Sequence, residues 1–547
     1  MTGRYSLGLE FSTQSVKMVV LDVEDRAVIY TGKFDYDTAL PKYKTQGGVI
    51  PARRPERRHT SPAMITESLD LAFQRLKDDG VEMDLIGCIK LDAQQHCTVY
   101  TDAGFASLVT SLSSRQSLVS QVRRHFSRKT SPIWEDRSPK REVKDLTKAL
   151  KKKGGIETLT GNHAEPRFPA AQILSWARRS RPEYENTAHI FVLSSFLTSL
   201  LIGHVAPVDT GDGWGTNLND LDVNNPGWSK EVLETMNKFL EDLGTLGMLE
   251  RRIGDIDPYD TDMAYVNPYY IQKYGVNPDA LVLAGTGDNP ATLLGTGGKI
   301  TISLGSSYTV NGVMSHIVPA RRAEYNIFGY IPGQAMALSV FTNGAKVHDD
   351  FCRRYVKGGD DSPITDEDWQ KYAELAGEPK PTADEPLMLP YLYNESVPRV
   401  RAGVVRDGFD EDDAAKNIRA LHLSQVLALK RHSTHLQDVS SIAVVGGGSK
   451  NPFLRQAITD AFGAETYLIE NADFAAPLGC AISGARKLLG STYEEATQMF
   501  VLRAPASTMT PQAEYQPIYD DLLKRYEELE KKHLAERRKQ RAEKAGS

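Results

Sequence analysis

Gly287-Asp288-Asn289-Pro290-Ala291 follows the apolar run 281–284, which reads as a strand. A carboxylate beside glycine at the C-terminal end of a strand stands where α/β folds place reacting groups. Asp288 could take the proton of a substrate hydroxyl; an Asx turn or a helix cap explains it equally well. Ser12-Thr13 and Gly305-Ser306-Ser307 are small hydroxylated turns between strands, shaped to form anion-accepting nests. Either alone is more readily a plain hairpin turn. Gly446-Gly447-Gly448-Ser449-Lys450-Asn451 leaves a buried strand and opens a helix, so a ligand could approach the backbone and an anion could meet free N–H groups. Position 451 breaks the G-x-G-x-x-G fingerprint and no G-x-x-x-x-G-K-[ST] occurs, which disfavours Rossmann and P-loop readings. Gln94-Gln95-His96 offers two amides and an imidazole in succession, a hydrogen-bonding set suited to a polyol. Trp134-Glu135-Asp136 and Arg167-Phe168 are further polar–aromatic candidates.

The elements that must position these residues alternate between strand and helix. Tyr5–Phe11, the turn 12–15 and the strand 16–23 form a hairpin, and 298–304, 305–307 and 308–313 repeat the pattern. Helices are expected at 63–76, 170–179, 231–246, 334–351, 421–434 and 451–462, and strands at 85–91, 280–284, 441–445 and 466–469. The apolar stretch 190–208 reads as a buried helix, because Ser194, Ser195, Thr198, Ser199, His204 and Pro207 interrupt it. The basic stretch 135–155 reads as a solvated helix, and a charged last helix is expected at about 512–544. Alternating strands and helices argue for α/β layers, and the repeated hairpin for two related domains.

The chain has 547 residues, 65 Lys+Arg against 71 Asp+Glu, a net charge of −6, 40% hydrophobic and 25% charged residues. This composition is globular, and the chain lacks the basic field that nonspecific nucleic-acid binding needs. Four cysteines without a Cys-x-x-Cys pair argue against a disulfide scaffold or a structural zinc site, and for reduced thiols in the cytosol. The N-terminus carries no signal-peptide apolar region, and no membrane partner is expected.

Taken together, these residues resemble the FGGY family of carbohydrate kinases, nearest to its branch of eukaryotic-type xylulose kinases, from Leu7 to about Leu489. The resemblance rests on Phe11-Ser12-Thr13-Gln14 with Lys17, Gln94-Gln95-His96, Pro132-Ile133-Trp134-Glu135-Asp136, and Arg167-Phe168 with Gln172-Ile173. It continues through Ser194-Ser195-Phe196, Asp212-Gly213 with Gly215 and Asn217-Leu218, Gly287-Asp288-Asn289-Pro290-Ala291, Ser303-Leu304-Gly305-Ser306-Ser307 and Gly446 to Asn451. It implies two ribonuclease-H-like (actin-like ATPase) domains flanking a nucleotide and sugar cleft. The expected division is 1–296 for the sugar-side domain with the base, 297–505 for the nucleotide-side domain and 506–547 for a helical charged tail, with a hinge near 285–300.

By that resemblance Asp288 is the general base, and His96, Arg167, Asp288, Asn289, Asp136 and Gln95 bind the sugar. Thr13, Gly305, Ser306, Trp369, Gly447, Gly448 and Asn451 hold ATP, Asn343-Gly344 forms a further nucleotide-side turn, and Glu10 stands near Mg2+. The implied reaction is ATP-dependent phosphorylation of a sugar, D-xylulose to D-xylulose 5-phosphate first among the choices. Another ketose or polyol, such as ribulose or glycerol, is the alternative. A weakly active sugar- or nucleotide-sensing protein is a second, because Glu10 replaces the usual Asp. Cys97 after Gln-Gln-His, Lys90-Leu91-Asp92-Ala93 before it, Pro169-Ala170 after Arg-Phe and Tyr308 after the second phosphate turn also depart from the family pattern. The implied partners are small molecules, with a homodimer left open beside a monomer.

Overall fold

The computed structural model describes residues 3–320, 322–437 and 440–546. Tyr5–Phe11 pairs antiparallel with Ser15–Asp22, which pairs antiparallel with Ala27–Asp35. Ile86–Ala93 then lies parallel on the other side of Tyr5–Phe11, and Leu281–Leu283 lies parallel beyond it. Asp262–Tyr265 closes that edge antiparallel. Every residue of Tyr5–Phe11 and of Ile86–Ala93 is buried, as central strands covered on both faces must be.

The second sheet repeats this order. Ile300–Leu304 pairs antiparallel with Tyr308–Val313, which pairs antiparallel with Ala335–Phe341. Ser441–Val445 lies parallel beside Ile300–Leu304, and Glu465–Tyr467 lies parallel beyond it. Each lobe is thus an antiparallel meander with parallel strands added beside its first member. That topology sends the hairpin tips 12–14 and 305–307 and the exits of the next parallel strands to one end of each sheet.

Two expected helices are corrected. Residues 334–351 divide into the strand Ala335–Phe341 and the helix Ala345–Tyr355. Ala-Met-Ala-Leu-Ser-Val-Phe fits either period, and pairing with Tyr308–Val313 decides for the strand. Residues 190–208 divide into the strand His189–Val192 and the helix Leu193–Ile202. Among the described residues no helix is long and apolar enough to cross a membrane.

The helix Ala475–Leu489 follows the second sheet in sequence but packs on the first. Ser6 Oγ donates to Ala481 O (2.6 Å), and a Cβ on Gly8 would stand 1.9 Å from Pro477 O. It also crosses the helix Asp288–Gly295 at glycines: a Cβ on Gly295 would meet Ala475 O at 1.8 Å, and one on Gly479 would meet Ala291 O at 2.0 Å. Gly297 and Gly298, both at positive φ, lead from that helix into the second sheet. The last helix, Gln516–Gly546, buries Tyr519, Leu522 and Tyr526 in the core of the second lobe. Its Glu530 is buried against Arg431 (2.7 Å) and His432 (3.1 Å).

Candidate active site

The C-terminal ends of the two central strands of the first sheet carry carboxylates. Glu10 is opposite Lys17 across the hairpin and level with Asp92 on the parallel strand. Lys17 Nζ lies 2.9 Å from Glu10 Oε2. Asp92 is fully buried; Cys480 Sγ donates to its Oδ2 (3.4 Å), while its Oδ1 has no hydrogen-bond partner. Asp288 begins the helix Asp288–Gly295 directly after the short strand Thr286–Gly287, which pairs beside Asp92–Ala93. Burial, and then the charge of Glu10, pushes Asp288 up to about 7, against N–H groups of Gln95 and Asn289. Burial, then Glu10 and Asp288, pushes Asp92 well above the carboxylate range. Burial also raises Glu10, against the pull of Lys17. Three carboxylates in one charge-coupled group cannot all ionise freely.

The sugar-side candidates gather around Asp288. Asn289 Nδ2 donates to Asp288 Oδ1 (3.0 Å) and Gln95 Oε1 (3.2 Å). Gln95 Nε2 donates to Gly211 O (2.9 Å) and Asp212 Oδ1 (3.3 Å). Gln95 is therefore a brace: both ends of its amide are engaged, and a Cβ on Gly287 would stand 2.2 Å from its Oε1. His96 sits at φ +69 with Nδ1 donating to Gly215 O (2.7 Å), which leaves Nε2 as an acceptor. Its ring packs on Phe168 (4.5 Å between centroids), and burial, then the charge of Arg167, holds it neutral. Arg167 bridges the lobes, donating to Asn326 Oδ1 (2.8 Å) and pairing with Glu165 (3.1 Å).

Asp136 is the clearest correction on this side. It is fully buried and accepts from Arg58 N, Ser138 N and Oγ, and Gln172 Nε2, with His59 Nε2 at 3.2 Å. Burial opposes its ionisation, but His59 and the other donors hold it below the ordinary carboxylate range. It fixes the loop that presents Trp134 and has no oxygen left for a sugar. Trp134, 41% exposed, donates from Nε1 to Thr13 Oγ1 (3.0 Å), and Thr13 donates to Gln94 Oε1 (3.3 Å).

On the second lobe the neutral turns lie side by side, because Ser303 is level with Val445 in the parallel pair. A Cβ on Gly446 (φ +86) would stand 2.9 Å from the Leu304 carbonyl carbon, and one on Gly448 would stand 3.0 Å from Leu304 O, whereas Gly447 faces open space. Gly344 packs as closely on Ser307 and Tyr308. Residues Gly447–Lys450 form a single 3-10 turn rather than opening the α-helix directly. Asn451 caps the helix Pro452–Phe462: its Oδ1 accepts from Phe453 N (2.9 Å) and Leu454 N (3.3 Å), and its Nδ2 meets His422 Nε2 (3.1 Å). Its side chain therefore shapes the turn and is not free for a ligand. Trp369 is three contacts away, through Tyr372 (5.4 Å) and His422 (5.6 Å from Tyr372). Among the described residues no three or more His, Cys, Asp or Glu side chains form a set able to hold a metal.

Sequence reasoning missed the roles of three buried residues. Asp212 accepts from Ser194 Oγ (2.6 Å) and Gln95, and burial pushes it far up. Asp209 caps the same turn and is pushed up to about 6 by burial. Asn162 joins the lobes through Ile327 O and N (2.8 Å each). The motif around Asp212 was visible; the link to Asn162 was not, because its partner is 165 positions away.

Two lobes of one topology, an acidic strand end on one and glycine and serine turns on the other, form a two-lobed ribonuclease-H-like (actin-like ATPase) fold. Residues 302–488 match the profile described as FGGY family of carbohydrate kinases, C-terminal domain. The chain is 30% identical to rat xylulose kinase over 548 residues, covering 98% of both chains. It is 28% identical to xylulose kinase 2 of Arabidopsis thaliana over 96% of each. A solved structure titled xylulose kinase from Rhodospirillum rubrum superposes with a TM-score of 0.76 at 16% identity, covering 96% of this chain and 98% of that one. The chain belongs to the FGGY family of carbohydrate kinases.

Proposed function

We propose that this enzyme transfers the γ-phosphoryl group of ATP to D-xylulose, giving D-xylulose 5-phosphate and ADP. The observation that carries the substrate is similarity over nearly the full length to proteins named xylulose kinase in a mammal and a plant. In this reading a sugar hydroxyl oxygen attacks the γ-phosphorus while its proton passes to Asp288. A base near 7 suits that transfer at neutral pH. Asn289 orients Asp288, and His96 Nε2 accepts from a sugar hydroxyl. The nucleotide lies against Gly305, Ser306, Gly447 and Gly448, where backbone N–H groups meet phosphate oxygens without side chains intervening. Phosphoryl transfer depends chiefly on such positioning and charge stabilisation. The unpartnered Oδ1 of buried Asp92, beside Glu10, fits a Mg2+ that keeps most of its contacts to phosphate and water. When bound, that ion would neutralise phosphate charge. Four buried free cysteines accord with a reducing compartment such as the cytosol.

Coupled ADP release over D-xylulose, D-ribulose, L-ribulose, D-gluconate and glycerol tests the proposal. The expected kcat/KM is highest for D-xylulose, by about tenfold or more, as loss of a hydrogen-bonded hydroxyl contact would give. A higher value for another sugar would overturn the substrate, and no turnover above ATP hydrolysis on any polyol would overturn the activity.

A further inference from the structure

A second charged feature lies outside the cleft. The loop 50–59, the segment around Thr130 and the end of the helix Pro169–Arg179 border an open surface cavity of about 570 Å3. Arg53, Arg54, Arg57 and Arg179 line it with His59 and Thr130, and no acidic residue does. None of these four arginine side chains has an ion pair or hydrogen bond among the described residues. Their immediate neighbours behave differently. Arg58 pairs with Glu135 (2.8 Å), and Arg178 with Glu142 and Asp145 (3.0 and 2.7 Å). Acids are thus available nearby and neutralise the adjacent arginines, while those facing the cavity stay uncompensated.

A fifth arginine adds to this field from behind. Arg128 is only 6% exposed and lies over the rings of Tyr100 (5.0 Å) and Trp176 (4.6 Å). Its Nε and Nη1 have no hydrogen-bond partner. It is close enough to repel both His59 and Arg57. Asp136 is near enough to favour its charge but forms no ion pair with it, and a buried cation without an ion pair is unfavourable unless something of opposite charge compensates it. Guanidinium groups suit phosphate, whose oxygens accept paired N–H donors, and the volume suits a small molecule.

We propose that this cavity is a binding site for a phosphate monoester of sugar size, separate from the nucleotide and sugar cleft. The site has a direct connection to the sugar side. His59 Nδ1 meets Thr130 Oγ1 (2.7 Å) and its Nε2 meets Asp136 (3.2 Å). The Arg58 N–H donates to the same carboxylate (2.9 Å). Asp136 fixes the loop of Trp134, so an anion drawn against Arg57 engages the residue next in the chain to Arg58 and His59, which both hold that carboxylate.

Titration calorimetry on the full chain tests the site, with a nonhydrolysable ATP analogue and D-xylulose both saturating so that the cleft is filled. D-ribose 5-phosphate is the probe, with D-ribose, inorganic phosphate and heparin as comparisons. The expected result is one saturable site for D-ribose 5-phosphate with a Kd below about 1 mM, no binding of D-ribose, and weaker binding of phosphate. Affinity should fall by about tenfold or more in Arg54→Glu/Arg57→Glu, through loss of charge-assisted bonds. Both side chains are exposed, and an unchanged melting temperature of this variant confirms its folding. Absence of saturable D-ribose 5-phosphate binding, binding unchanged in the variant, or binding of heparin alone would each overturn the proposal.

Discussion

The two sheets share one strand order but carry opposite chemistry at the same end. In the first lobe the two central strands carry Glu10 and Asp92 one residue before their ends, with Asp288 close by. In the second, the equivalent strands end in Leu304 and Val445 and continue into Gly305-Ser306-Ser307 and Gly446-Gly447-Gly448. In the proposed mechanism the fold serves as a proton acceptor where its strand ends carry buried carboxylates. In the same proposal it serves as a phosphate cradle where they carry bare backbone. The whole chain is net negative at −6, so in this proposal attraction for an anionic nucleotide arises locally, at the second set of ends.

The comparison breaks most completely if the acidic end loses its base. Asp288→Asn should lower kcat by about a thousandfold, within the range for a missing general base, while binding of an ATP analogue by fluorescence is unchanged. A smaller effect is expected where the lobes meet. A side chain at Gly479 would collide with Ala291 O of the neighbouring helix. Gly479→Val should destabilise the protein by about 2 kcal/mol, as overpacking does, read by urea unfolding. Smaller again is the cradle itself. Gly446→Ala places a Cβ at φ +86 and 2.9 Å from the Leu304 backbone. Strain of about 1–3 kcal/mol should raise the KM for ATP by about tenfold with the KM for sugar unmoved, a split that steady-state kinetics resolves.

How much of this was legible in the sequence follows from the reach of each interaction. The hairpin tips, Asp288 and the glycine turn were visible because each is a local pattern of turn residues after a strand. The pairing of Glu10 with Asp92 was not, because strand register alone brings together residues so far apart in the chain. Asp136 and Asn451 are ligands by the family resemblance, yet donors from the chain itself, near and far in sequence, occupy their oxygens. Ala335–Phe341 read as helix because its apolar residues fit both periods, and only the neighbouring strand decides. The return of Ala475–Leu489 to the first sheet left a trace in Gly479 and Gly484, but a glycine in a helix does not name its partner.

The most direct test of the account is the pH dependence of kcat/KM, wild type against Glu10→Gln. Burial raises Asp288 to about 7 and the charge of Glu10 adds to the shift. A base works only when deprotonated, so activity should rise with pH along a limb centred near 7 in the wild type. Removing the Glu10 charge makes ionisation of Asp288 easier, and the limb should move to lower pH in Glu10→Gln. A limb that stays in place, or moves to higher pH, would contradict the claim that Asp288, tuned by its acidic neighbour, takes the proton.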